Sequence, residues 1–378
     1  MSDHENRASR VLKQVRVAVA ALRALGERWY ATPVLWVCGF ALLAVLPQAL
    51  SVRVFGVGLG TIMSLQALIL ALLWATAAQS WNLVSGFAGQ FSLGHAAFFG
   101  LGAYIPLVLA SEFGVSPWLG LLAGAVVAAA YGLCLGGLTF RYDISGSYFV
   151  LVTLAFAELL FFLFVNVDAV GGASGVVKPL PDAYGARFGL VAFQFRERLP
   201  YYYVVLAFLA VVTLVSLVLQ RSQTGLYLHA IRDDEDAARA VGIPTVRYKL
   251  FALGLSAFFT AWAGTFWAMY FPSIRPRVVF GVLVNIDIVL PAAIGGIGTV
   301  AGPIVGAFAL EVISEAGRRA VDFPELQDVI GGVVLLVVVL KSPGGLVSLP
   351  GKATALLDRL TGERRSVWDR DSSRTKED

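Results

Sequence analysis

The chain has 378 residues, 58% of them hydrophobic and only 14% charged, with a formal net charge of +4 and a mean hydropathy of +0.76. That balance excludes an ordinary soluble domain and describes a protein folded in a bilayer, where a helix needs about 20 apolar residues to cross about 30 Å of hydrocarbon. The positive charge is distributed as membrane topology distributes it and argues against a nucleic-acid partner.

The apolar runs are continuous, not alternating, so they predict an all-α polytopic membrane protein and not a barrel. Residues 1–30 carry Arg7, Arg10, Lys13, Arg16, Arg23 and Arg28 with Val11, Val15, Val19 and Leu22 at helical spacing. This predicts an amphipathic helix on the cytoplasmic membrane face. A signal peptide is disfavoured because Arg23 cuts the only short apolar run before the first span. About ten spans follow within a membrane domain at 31–350: 34–50, 59–81, 91–110, 118–140, 148–165, 201–219, 250–270, 278–294, 300–317 and 326–340. With a cytoplasmic N-terminus, 20 of the 29 Lys and Arg fall on the cytoplasmic side. The positive-inside rule therefore puts both termini in the cytoplasm of a bacterial inner membrane. Residues 351–378 read as a charged cytoplasmic tail.

Several stretches depart from plain spans. Residues 87–102 include Gly89, Gly94, Gly100 and Gly102, which predicts a broken or re-entrant helix; such backbone survives at membrane depth only against protein or a water-filled cavity. The polar stretch 166–200 forms the largest outer loop, either a docking face or a plain connector. On the cytoplasmic side, the loop 221–249 carries six ionisable groups from Arg232 to Arg239, with Ala237, Ala238, Ala240 and Val241 at helical spacing. Such a helix needs a partner for its apolar side.

The chain's own chemistry is sparse. Cys38 and Cys134 sit in apolar runs, and His4, His95 and His229 are far apart, so no metal site is expected. Gly351-Lys352 lacks the flanking residues of a nucleotide loop, and the glycines at 296–302 miss the dinucleotide spacing. Polar groups inside spans face a bundle interior or cavity by default; these include Gln79, Asn82, Gln90, Ser92, His95, Glu158, Asn285 and Asp287. For Glu158 a structural hydrogen bond and a pathway role stay open. His95 reads as a packing histidine. Two energy sources remain, ions moving through embedded carboxylates or a separate ATPase gripping the charged loop, and the loop favours the second.

At this point four ordered stretches resemble a known family: 82–98 (NLVSGFAGQFSLGHAAF), 148–156 (YFVLVTLAF), 222–249 and 295–303 (GGIGTVAGP). The chain resembles the M-type permease subunits of ABC importers for branched-chain amino acids, with urea-importer permeases as close relatives. The resemblance implies that Arg232, Glu235, Asp236, Ala237, Ala238 and Gly242 belong to a coupling loop docking on an ATPase. It implies a pathway bordered by Gly86, Gln90, Ser92, His95, Gly295 and Gly296, to which the embedded Glu158 and Asn285 are added from their position. It implies as partners a second permease, two ATP-binding subunits carrying ATP and Mg, and a periplasmic substrate-binding protein. No cofactor or catalytic residue is expected on this chain.

Overall fold

Every backbone amide in a bilayer needs a partner within the protein, and an apolar chain meets that need most simply as a helix. The computed structural model describes residues 33–49, 53–54, 57–58, 63–184, 187–320 and 345–348, as helices with two small antiparallel ribbons. Contacts divide the chain into two units, Met1–Cys38 with Val347–Asp378, and Gly39–Leu346. Of the first, only 33–38 and 347–348 are described. The expected N-terminal segment 1–30, the tenth span 326–340 and the tail 351–378 lie outside the described residues.

In chain order the helices are α1 (Pro33–Ala49), α2 (Leu65–Ser85), α3 (His95–Phe113), α4 (Pro117–Arg141), α5 (Gly146–Asn166), α6 (Leu199–Arg221), α7 (Gln223–Asp233), α8 (Glu235–Ala240), α9 (Thr245–Tyr270), α10 (Pro276–Val279), α11 (Val282–Gly295) and α12 (Gly302–Ala320). Strands β1 (Arg53–Val54) and β2 (Val57–Gly58) form one ribbon, β3 (Val176–Val177) and β4 (Ser273–Ile274) the other. Among the described residues, seven segments are long and apolar enough to span a membrane: α2, α3, α4, α5, α6, α9, and α10 with α11. α1 is shorter, and α12 carries Glu311, Glu315, Arg318 and Arg319.

Two predicted starts move for identifiable reasons. The second predicted span, at 59–81, becomes a helix over Leu65–Ser85, because the Ser64 hydroxyl accepts from the Ala67 amide at 3.1 Å and caps the helix there. The third span begins at His95 and not at residue 91, because 86–94 is a non-helical connection between α2 and α3.

α9 is the hub, packed on α4, α3 and α2. Small residues permit that closeness, as expected in lipid where helix association depends on van der Waals packing. Gly102 on α3 lies on the Ala261 backbone of α9, Gly264 on α9 lies on the Phe99 carbonyl, and Gly132 on α4 meets Ala257. Between them Thr265 Oγ1 donates to the Gly102 carbonyl at 2.7 Å.

At one end of α6 lies the 166–200 loop, ordered by its own contacts. β3 pairs with β4, Trp118 Nε1 donates to the Leu190 carbonyl at 2.6 Å, and the Trp118 ring stacks on Phe193 at 4.5 Å. Lys178 is half-buried and its Nζ donates to the Met269 carbonyl at 2.7 Å. At the other end of α6 lie α7 and α8.

Two outcomes are expected from this packing. Gly264→Val forces a side chain into the Phe99 backbone and should lower the unfolding free energy by about 1–3 kcal/mol or more, read as a melting shift in detergent; an unchanged melt would contradict the close α3–α9 approach. Burial pushes the Lys178 ammonium down to about 8. With the folded value below the unfolded one, the unfolded chain binds more protons across the window from about 8 to the ordinary lysine value near 10.4, so stability rises with pH there. Reductive ¹³C-methylation followed by an NMR titration should give a midpoint near 8.

Candidate functional site

The site is built where two helices are interrupted. α2 ends at Ser85, and the 86–94 connection returns to the start of α3 largely buried. Side chains satisfy its backbone. Ser85 Oγ donates to the Gln90 carbonyl at 2.9 Å and accepts from the Ser92 amide at 3.3 Å. Trp81 Nε1 donates to the Ser92 carbonyl at 2.8 Å, and the Leu93 amide donates to Thr153 Oγ1 of α5 at 3.1 Å. The glycine-rich stretch expected to hold a broken or re-entrant helix thus divides into an irregular connection at 86–94 and regular helix from His95, with Gly100 and Gly102 inside α3.

The second interruption separates α11 from α12 at 296–301. Thr299 Oγ1 donates to the Gly296 carbonyl at 2.8 Å and accepts from the Gly302 amide at 3.0 Å, so it closes the turn and caps α12. Asn82 of α2 spans the two interruptions. Its Nδ2 donates to the Thr299 carbonyl at 2.9 Å, and its Oδ1 accepts from the Gly298 amide at 2.8 Å. Gly298 has φ +82, a left-handed conformation that other residues adopt only under strain. Gly295 lies against the Gly302 backbone, bringing the two helix ends together.

Deeper in the bundle, His95 is fully buried at the start of α3. Its Nε2 lies 2.7 Å from Ser256 Oγ on α9, and that hydroxyl donates to the Ser80 carbonyl at 2.7 Å. A hydroxyl has one proton, so the imidazole must be the donor to Ser256. Asn285 Oδ1 accepts from the Ala96 amide at 2.8 Å. Gln90, Ser92, His95 and Asn285 thus belong to one connected region with Gly86. Glu158 does not join it: it lies on α5 five positions beyond Thr153, roughly 140° around the helix, and is half-exposed. Asp287, expected to be embedded like Asn285, is exposed, since two positions along α11 turn it to the opposite side.

The 221–249 loop forms two short helices. Ser222 caps α7 by accepting from the Gly225 amide at 3.2 Å, and Asp234 caps α8 by accepting from the Ala237 amide at 2.9 Å. Gly242, at φ +91 with open space around it, ends the segment; its amide bonds the Arg239 carbonyl and that of Ile243 bonds the Ala238 carbonyl. The left-handed backbone, and not crowding, is what requires glycine there.

The two faces of α8 differ. Inward, Ala238 is buried and Glu235 Oε1 pairs with Lys249 Nζ at 2.6 Å. Lys249 is 1% exposed and its ammonium lies 4.7 Å over the Phe140 ring. Arg239 bridges Glu235 at 3.2 Å and Asp143 at 3.0 Å. Outward, Asp236, Ala237, Ala240, Val241 and Gly242 are exposed, Val241 to 79%. α7 meets the first interruption: the His229 ring lies 5.5 Å from Phe87, and Arg232 Nη1 donates to the Gly86 carbonyl at 2.7 Å. Burial and the nearby Arg232 charge hold His229 below its ordinary range, against a smaller opposite pull from Asp233.

Residues 63–339 match a sequence family described as "branched-chain amino acid transport system / permease component". The chain belongs to that family. Within it, the chain is 29% identical over 286 residues to the high-affinity branched-chain amino acid transport system permease protein LivM of Escherichia coli and of Salmonella typhimurium, a match covering 71% of this chain and 66% of each relative. It is 24% identical over 289 residues to the LivH permease protein of Escherichia coli, covering 73% of this chain and 92% of that one. The chain thus spans a little under two-thirds of the LivM proteins' length. No solved structure matches.

Lys249, Asp143, Thr299, Ser256 and Thr153 were not among the residues singled out from the sequence. Thr299 carried a local signal, a hydroxyl three residues before a helix start; the others act across distant elements. The ion pair predicts an asymmetry. Glu235→Ala strands the buried Lys249 ammonium and should cost roughly 2–4 kcal/mol, whereas Lys249→Met should cost less, because Glu235 keeps Arg239 at the surface. Denaturant melts of both variants that ranked them the other way would refute the arrangement.

Proposed function

We propose that the chain is the membrane-spanning permease subunit of an ABC importer for branched-chain or similar apolar amino acids, working beside a second permease. Its energy comes from two ATP-binding subunits that carry ATP and Mg, and its substrate from a periplasmic binding protein. The observation that carries this reading is the two-faced α7–α8 segment within a chain of the branched-chain transport permease family. One face is fixed to α9 and to the 86–94 connection, while the other leaves Ala237, Ala240 and Val241 open. An exposed apolar patch beside Asp236 suits a protein partner better than solvent.

On this reading α7 and α8 lie in the cytoplasm with both termini, and the chain sits in a bacterial inner membrane. The 166–200 loop then faces outward. A cleft there, lined by Asp182, Arg187, Arg196 and Glu197 among others, offers charges of both signs to a soluble binding protein. Substrate moves along the region bordered by the two interruptions, and the chain itself catalyses no reaction.

The test is uptake by the chain co-assembled with the second permease and the ATPase subunits in proteoliposomes, with the binding protein supplied and leucine, isoleucine and valine offered alongside urea. Ala237→Arg and Val241→Asp lie on the open face and should leave the melt within about 0.5 kcal/mol of the parent. Both should abolish ATP-driven leucine uptake. Normal uptake by both variants, or uptake of urea alone, would refute the reading.

A further inference from the structure

We propose that Arg232 is a positioning residue that locks both helix interruptions to α7, so that a displacement of α7 reaches 86–94 and 296–301 together. The inference rests on the reading of α7–α8 as the segment an ATPase moves.

Three glycines from two separate stretches of chain converge on this side chain. Its Nη1 donates to the Gly86 carbonyl at 2.7 Å. Its Cα, Cβ and Cγ lie so close to Gly89 that a β-carbon there would stand 3.0–3.2 Å from them. A β-carbon on Gly298 would collide with the guanidinium itself. Glycine at 89 and at 298 thus leaves the space that the arginine occupies. Those two glycines belong to different interruptions, and Gly298 follows Gly86 by more than two hundred positions.

The contact is inward, which separates Arg232 from the rest of the charged loop. Among the described residues, Asp236, Ala237 and Val241 make no bond back to the bundle, whereas Arg232, itself exposed, turns its guanidinium back to the Gly86 carbonyl. One α-helical turn earlier, His229 rests on Phe87, giving α7 a second hold on the same connection. Asn82 supplies rigidity from the other side: its backbone carbonyl accepts from the Gly86 and Phe87 amides, and its carboxamide holds Gly298 and Thr299. The two interruptions are therefore tied to each other by Asn82 and to α7 by Arg232. Moving α7 away from 86–94 would break a charge-assisted hydrogen bond to a carbonyl that no helix partner replaces, and Asn82 links that stretch to 296–301.

A guanidinium suits this place because it is planar, permanently charged and presents several N–H groups in fixed directions. A lysine could reach the Gly86 carbonyl but would not fill the space between Gly89 and Gly298. A residue that only docked on the ATPase would instead point outward and would govern assembly.

Two measurements test the lock. In proteoliposomes of the full importer, Arg232→Ala should keep the ATPase subunits bound and hydrolysing, while leucine uptake per ATP falls between about five- and a hundredfold, the usual span of inter-site coupling. Arg232→Lys should recover part of that ratio, and Gly298→Ala should reproduce the loss. An unchanged ratio in Arg232→Ala, or loss of the ATPase subunits from the complex, overturns the proposal. The second measurement needs no partner: in the chain alone in nanodiscs, amide exchange at 86–94 and 296–301 should quicken together in Arg232→Ala and less in Arg232→Lys. Exchange unchanged in both stretches, or quickened in only one, overturns the lock whatever the importer reading. A parent chain that binds no ATPase, with the exchange result as expected, would instead overturn the importer reading and leave the lock standing.

Discussion

The carboxamide of Asn82 is the interaction on which the rest of this architecture depends. A helix interrupted within a membrane protein exposes N–H and C=O groups that lipid cannot satisfy, at a cost of several kcal/mol for each one left alone. An amide side chain offers a donor and an acceptor in one plane. At residue 82 it gives the donor to Thr299 and the acceptor to Gly298. A single residue on α2 thereby stabilises a break between α11 and α12, and its own backbone carbonyl terminates α2 at the other break. Two discontinuities that would be liabilities separately become one supported unit.

That unit explains the division of labour in the charged loop. The residues that hold α8 to the bundle, Glu235 and Ala238, are turned inward, and a fully buried lysine answers the carboxylate. Lys249 in turn lies over Phe140, so the ammonium is compensated by a carboxylate and an aromatic face together. The residues left outward carry no such obligations. A surface can serve a moving partner only if it is firmly anchored on its other side, and the ion pair, the Asp234 cap and the Gly242 terminus provide that anchoring.

Much of this was legible in the sequence because the signals were local. Of about ten apolar runs, seven correspond to membrane-length segments among the described residues, glycine density marked the 86–94 connection, and six ionisable groups in eight residues marked the α7–α8 segment. Gly120 and Gly124, and Gly132 and Gly136, four apart along α4, face neighbouring helices. What the sequence could not reveal was side-chain direction. Asn285 and Asp287 look equivalent as embedded polar groups, yet on α11 the first is buried against α3 and the second exposed, because two residues along a helix is more than half a turn. Glu235 reads as a free charge until Lys249, 14 positions later, is seen to lie across from it. Thr153 and Ser256 look like ordinary hydroxyls in spans, and only the tertiary fold brings them to Leu93 and His95.

The placement of charge also bears on how such a chain is driven. A transporter powered by ions holds ionisable groups near the midplane where an ion can bind and leave. Here the described interior around His95 is knit by neutral groups, a serine hydroxyl, a backbone carbonyl and a carboxamide. Glu158 stands off this network, half-exposed on α5, and Asp287 is exposed on α11. Lys249, a buried charge compensated by Glu235, is at the α8 end, where it anchors the loop away from His95. The ion pair of Glu235 with Lys249 therefore fixes α8 to the bundle, while the groups around His95 are joined by neutral hydrogen bonds. That is the arrangement expected of a chain that receives motion from a partner, as the proposed function requires.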